Sequence, residues 1–156
     1  MLAAQMKTNQ IERKTLIRAP RSRVWRALTS VPEFCKWFSA ETSATAFQPG
    51  VRTDLVSTHT GGECNGQPFF MEVMEMVPEK RFSWRWHPGS LKPGEDLSSE
   101  PMTLVEFLLE DAEGGTLVTV VETGFDRLFA DRQSRVYREN AEGWDIQVAA
   151  LERYLQ

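Results

Sequence analysis

The chain has 156 residues, 41% hydrophobic and 26% charged, the balance of one soluble globular domain with a core of its own. Its formal net charge of −4 argues against nucleic-acid binding, which needs a basic surface. No apolar run approaches the length of a membrane-spanning helix, and Met1–Gln10 lacks the apolar core of a secretory signal, so a cytoplasmic location without membrane contact is expected. Cys35 and Cys64 fit neither a metal knuckle nor a CxxC redox pair; free thiols are the plainer reading, with one disulfide left open.

Residues 1–9 read as a poorly ordered tail and residues 10–156 as a single domain. Ile11–Ile17 is the first strand candidate, closed by Ala19-Pro20. Val24 and Leu28, four apart with Trp25 beside them, predict a short helix over Pro20–Thr29. A second helix follows, where Ser30 and Glu33 have the S-x-x-E spacing of a capping box and Phe34, Trp37 and Phe38 make an apolar face. The pair is a helix-turn-helix by shape only, since a DNA-reading second helix would be polar and basic.

From Ser43 the period becomes two. Strands are predicted at Ala44–Phe47, Val51–His59, Pro68–Val77, Arg81–Trp86, Met102–Glu110 and Thr116–Thr123. Pro49-Gly50, Thr60-Gly61-Gly62, Pro78-Glu79-Lys80 and Glu113-Gly114-Gly115 mark the turns, so neighbours should pair antiparallel. Phe82, Trp84 and Trp86 share one face. Several strands are apolar on both faces, which calls either for a curled sheet or for a partner subunit. The stretch His87–Pro101 has no period and reads as a hairpin tip, either disordered or functional. Tyr137, Ala141, Trp144, Val148, Leu151 and Leu155 then form one stripe of a long amphipathic helix that Asp131 would cap. A single such helix after a run of strands must bury its stripe on the sheet, an α+β architecture.

Chemistry is less clearly marked. His59 and His87 lie in no metal-ligand spacing, no GxSxG is present, and no metal or cofactor is expected. Gly61-Gly62 lacks the Gly-Lys-Ser/Thr of a phosphate loop, and Asn65-Gly66 reads as a hairpin turn. Glu122 stands out because its parity matches Val118 and Val120, and a carboxylate on an interior face needs partners or a cavity mouth. Glu72 raises the same question beside Phe70 and Met74. Five tryptophans fall on apolar faces, enough for core packing and enough to line a pocket with few polar groups. Asn140, one turn before Trp144, is placed to orient a ligand there.

Several local motifs then meet in order. They are Ile17-Arg18-Ala19-Pro20, Val24-Trp25-Arg26-Ala27-Leu28, Phe34-Cys35-Lys36-Trp37-Phe38 and Met76-Val77-Pro78-Glu79-Lys80-Arg81-Phe82-Ser83-Trp84. Gly115-Thr116-Leu117-Val118-Thr119-Val120 and Glu142-Gly143-Trp144 with Leu151 complete the set. In this order, over residues 10–155, the chain resembles the START-like helix-grip superfamily (SRPBCC), in the branch related to activators of the heat-shock-protein-90 ATPase. The resemblance implies a curved antiparallel sheet wrapped around the last helix, with a small hydrophobic ligand between them. Trp84, Trp86, Phe107 and Trp144 would be its walls, Trp37 and Phe38 its rim, and Glu122 and Asn140 its polar groups. The alternatives it implies are a polyketide cyclase or dehydratase using Glu122, His59 or Glu72 as acid or base, and a chaperone cofactor or homodimer. Glu122 stands where many relatives carry a histidine, and the chain reads as this one domain, whereas the chaperone activators carry a separate amino-terminal one, so chaperone stimulation is not expected.

Overall fold

The computed structural model describes residues 9–59 and 66–156. Residues 1–8 of the expected tail, the turn at 60–62, Asn65 and Cys64 lie outside them. The order of elements is β1 (Gln10–Ile17), α1 (Arg21–Thr29), α2 (Val31–Phe38), β2 (Ala40–Glu41), β3 (Arg52–Ser57), β4 (Pro68–Val77), β5 (Arg81–Trp86), β6 (Thr103–Ala112), β7 (Gly115–Thr123) and α3 (Ala130–Tyr154). One seven-stranded sheet runs β1-β7-β6-β5-β4-β3-β2, antiparallel at every junction. β1 therefore closes on the last strand, and α1 and α2 bridge from one edge of the sheet to the other. The long helix crosses the concave face. This is the helix-grip architecture that the sequence predicts.

The side chains of period two build the core. Met71, Val73, Phe82, Trp84, Val105, Phe107, Val118 and Val120 all point inward and are buried, and Phe34, Trp37, Val136, Trp144 and Leu151 meet them from the helices. Burying an aromatic side chain of this size contributes on the order of 1.5–3 kcal/mol. Trp84 and Phe107 stack with centroids 5.7 Å apart, and Phe34 and Phe38 stack at 4.6 Å. The turn into β7 depends on Gly115, because a Cβ there would sit 2.0 Å from the Ile17 carbonyl oxygen on the neighbouring strand.

Three local expectations are corrected. The predicted strand Ala44–Phe47 is irregular: the Thr42 hydroxyl donates to the Asp54 carbonyl (2.7 Å) and accepts from the Ala44 N–H (3.1 Å), which turns the chain away from the sheet. The capping box at Ser30 and Glu33 does not form. The Ser30 N–H is already bonded to the Arg26 carbonyl as the end of α1. The Glu33 carboxylate is held instead by Arg23 (2.7 Å), Arg26 (2.9 Å) and the Tyr154 hydroxyl (2.8 Å).

Asp131 does not cap α3; Phe129 precedes the helix, and its free N–H is taken by Glu100 at 2.9 Å. The stretch from His87 to Pro101, whose order the sequence leaves open, is an ordered loop laid along the start of α3. Arg132, only 1% exposed, donates to Glu100 (3.1 Å) and to the Pro88 carbonyl (2.8 Å). Arg135 pairs with Glu95 at 3.0 Å, and the Ser90 N–H and hydroxyl donate to Glu139 at 3.0 and 2.8 Å.

The outer sheet face carries Leu104, Leu108, Leu117 and Val121, all partly exposed. Arg81 reaches Glu106 at 2.8 Å across this face, and Arg85 pairs with Glu72. The aliphatic stems of such arginines cover apolar neighbours while their heads stay in water.

Candidate functional site

Register sets the position of Glu122. On β7 it stands opposite Val105 of β6 and Ile11 of β1, on the core-facing side, and it is completely buried. Burial pushes its carboxyl above the ordinary range, while four hydrogen bonds pull the other way. The Trp144 indole N–H (2.7 Å) and the Asn140 amide (2.8 Å) donate to Oε1. The Thr103 hydroxyl (2.6 Å) and the Trp86 indole N–H (2.9 Å) donate to Oε2.

This donor set specifies the side chain. An indole N–H can only donate, and each carboxyl oxygen receives one of them. A glutamine in either orientation would turn its amide N–H₂ toward one indole. A protonated Glu122 can still serve, because the Thr103 hydroxyl can rotate to accept its proton. The carboxyl thus ties β5, β6, β7 and α3 together at one point.

In front of that knot lies a cleft of about 370 Å³ between the sheet and α3. Its apolar lining is Phe38, Phe69, Trp86 and Trp144, with Pro88 and Ile146 beside them. These rings touch one another: Trp86 lies 6.1 Å from both Trp144 and Phe69, and Phe38 lies 6.1 Å from Trp86 and 6.4 Å from Trp144. The polar lining includes His59, Gln67, His87, Asn140 and Gln147. Loop residues 87–90 form one wall, and Gly89 fits there because a Cβ would meet Val136 at 2.9 Å. Burial holds the His87 imidazole below its ordinary value; Arg132 and Arg52 push the same way, and Glu100 opposes them. Its Nδ1 is buried without a hydrogen-bond partner among the described residues.

The residues proposed from sequence fall into three groups. Phe38, Trp86, Asn140, Trp144 and His59 line the cleft. Glu122 sits directly behind it, bonded to three of those five. Trp37, Trp84 and Phe107 are packed in the core, with the Trp37 indole donating to the Ala27 carbonyl at 2.8 Å. Glu72 lies on the opposite sheet face, paired with Arg85. Sequence reasoning did not single out Phe69, Gln67, Gly89 or Glu139. Phe69 was within reach, because its parity matches the buried Met71 and Val73. The others depend on where the 87–90 loop docks.

Among the described residues no group of histidine, cysteine and acidic side chains is placed to hold a metal ion. No helix of the described chain is long and apolar enough to cross a membrane.

Strand order, the two short helices and a cleft under the last helix together define a helix-grip protein. The profile of the family described as "Activator of Hsp90 ATPase homolog 1-like protein" matches residues 18–156, and the chain belongs to that family. Comparison with curated protein sequences gave no match.

Among solved structures the chain is similar to protein MLL2253 from Mesorhizobium loti, with a TM-score of 0.71, 24% identity and coverage of 94% of this chain and 96% of that one. It is similar to DynU16, from the dynemicin biosynthetic locus, at 0.70 and 25% identity; 94% of this chain matches 47% of that longer one. The Aha1 dimer from Colwellia psychrerythraea is similar at 0.67 and 20% identity, over 94% of this chain and 95% of that one. At these identities the likeness is one of fold.

Proposed function

We propose that this chain is a START-like binding module that holds a small, mainly apolar molecule in the cleft between sheet and α3. One observation carries the reading: four aromatic rings line a cleft of about 370 Å³, within the usual size range of small-molecule pockets. Phe38, Phe69, Trp86 and Trp144 supply apolar contact, and Asn140, Gln67 and the two histidines fix orientation. Glu122 acts behind them as a positioning residue, since it fixes the indole edges of Trp86 and Trp144 and the amide of Asn140. The likeness to a protein from the dynemicin biosynthetic locus suits a polyketide-like ligand.

Titrating the protein with a panel of lipids and aromatic polyketides tests this. Binding should quench tryptophan fluorescence, because two of the five tryptophans line the cleft. Replacing Phe69 with Ala should weaken the response. A flat response across the panel would sink the reading.

A further inference from the structure

The charges around the cleft narrow its ligand, an inference that rests on the binding reading above. No Lys or Arg is among the described lining residues, whereas Glu139 and Glu142 stand on the helix side. The guanidinium groups nearby are engaged: Arg132 by Glu100, Arg135 by Glu95 and Arg52 by Asp54, with Glu139 3.7 Å from Arg135. Carboxylates therefore outnumber guanidinium groups along this edge. His59 and His87 are the remaining titratable lining groups, and burial favours the neutral form of His87.

An anion would enter this cleft against a negative potential, and a fatty-acid carboxylate is no exception. A cation would be drawn in and would meet aromatic carbon. Trp86 and Trp144 commit their N–H edges to Glu122 and leave the rest of their rings to the cleft beside Phe38 and Phe69. Donating an N–H to a carboxylate shifts electron density into the indole, which strengthens its attraction for positive charge.

We propose that the cleft selects a compact organic cation on an apolar body, such as a quaternary or protonated tertiary amine, over its neutral and anionic counterparts. The charge rests against the rings of Trp86 and Trp144, with Glu139 and Glu142 on the helix side of the cleft. Such a contact, once desolvated, corresponds to roughly tenfold or more in affinity.

The test is calorimetric titration of the whole chain at about pH 8. Three probes of one size are compared: phenyltrimethylammonium, its carbon isostere tert-butylbenzene, and benzoate. The cation should bind about tenfold more tightly than tert-butylbenzene, and benzoate should bind least. Glu122→Gln unsettles the ring edges for every probe and should lower the cation's affinity more than that of tert-butylbenzene. If that variant fails to fold, Glu142→Gln at the exposed rim takes its place, with an expected loss of about twofold for the cation alone. Equal or tighter binding of tert-butylbenzene, or of benzoate, overturns the cation preference and leaves the apolar-ligand reading intact. Binding of none of the three overturns both.

Discussion

Glu122 is a buried carboxyl held by four neutral donors, so its substitutions report on hydrogen bonding. Glu122→Gln leaves one indole N–H facing an amide N–H₂ and should cost about 1–3 kcal/mol, read from the urea midpoint. The pH dependence has a definite sign. Burial raises the folded pKa above the ordinary 4.5, so the stability from Glu122 is full below that value and is lost as pH rises through the folded one. The cost of Gln should therefore be largest in acid and shrink toward neutral pH. A constant cost across that range would contradict the account. His87 works in the opposite direction. Its folded pKa is lowered from 6.5 chiefly by burial, so the unfolded chain takes up a proton that the folded chain resists. Stability attributable to this site should fall as pH drops below about 6.5, and His87→Phe should flatten that part of the profile.

At the scale of the element, α3 is held as much by its polar start as by its apolar stripe. Arg132 and Glu100 form a buried ion pair that also fixes the Phe129 N–H and the Pro88 carbonyl. Removing one member leaves the other charged and unpaired in the interior. Arg132→Ala should therefore destabilise the chain by about 3–5 kcal/mol, more than most surface substitutions. Hydrogen exchange should show the loss first in the amides of residues 88–100, because that loop depends on Arg132 and Arg135 for its docking. Since residues 87–90 form a wall of the cleft, the same variant should also weaken the fluorescence response to ligand. A variant with unchanged exchange over the loop would show that the strap is not what holds it.

At the scale of the molecule, a ligand in the cleft touches α2, β4, β5, the 87–90 loop and α3 together. Such a ligand binds the folded chain and not the unfolded one, and so raises its stability. At about one hundred times Kd the gain is about 2.7 kcal/mol, which for a chain of this size raises Tm by roughly 5–10 °C. A thermal scan against ligand concentration checks this, and the shift should grow with the logarithm of concentration. The mixed outer face of the sheet leads to a different measurement. Its leucines lie among the Arg81–Glu106 and Arg85–Glu72 pairs. Sedimentation at low and high salt will show whether this face joins two copies, as a dimer is known for the Colwellia protein.

Much of this was legible in the order of the residues. Period-two runs at Arg81–Trp86 and Thr116–Thr123 and the 4-3-4 stripe through Trp144 are local signals, and local backbone geometry answers to them. They determined a sheet, a gripping helix and the inward parity of Glu122. What that parity meant was settled only when the strands paired. Register brought Trp86 and Thr103 beside Glu122, and the helix lowered Asn140 and Trp144 onto it. Trp84 and Trp86 share one face by sequence, yet one closes the core and the other lines the cleft, because only Trp86 lies at the strand end where the sheet parts from the helix. Arg132 precedes the stripe and carries no local sign of burial. A loop more than thirty residues away in sequence buried it and made a wall of the site, and no local pattern encodes a contact of that range.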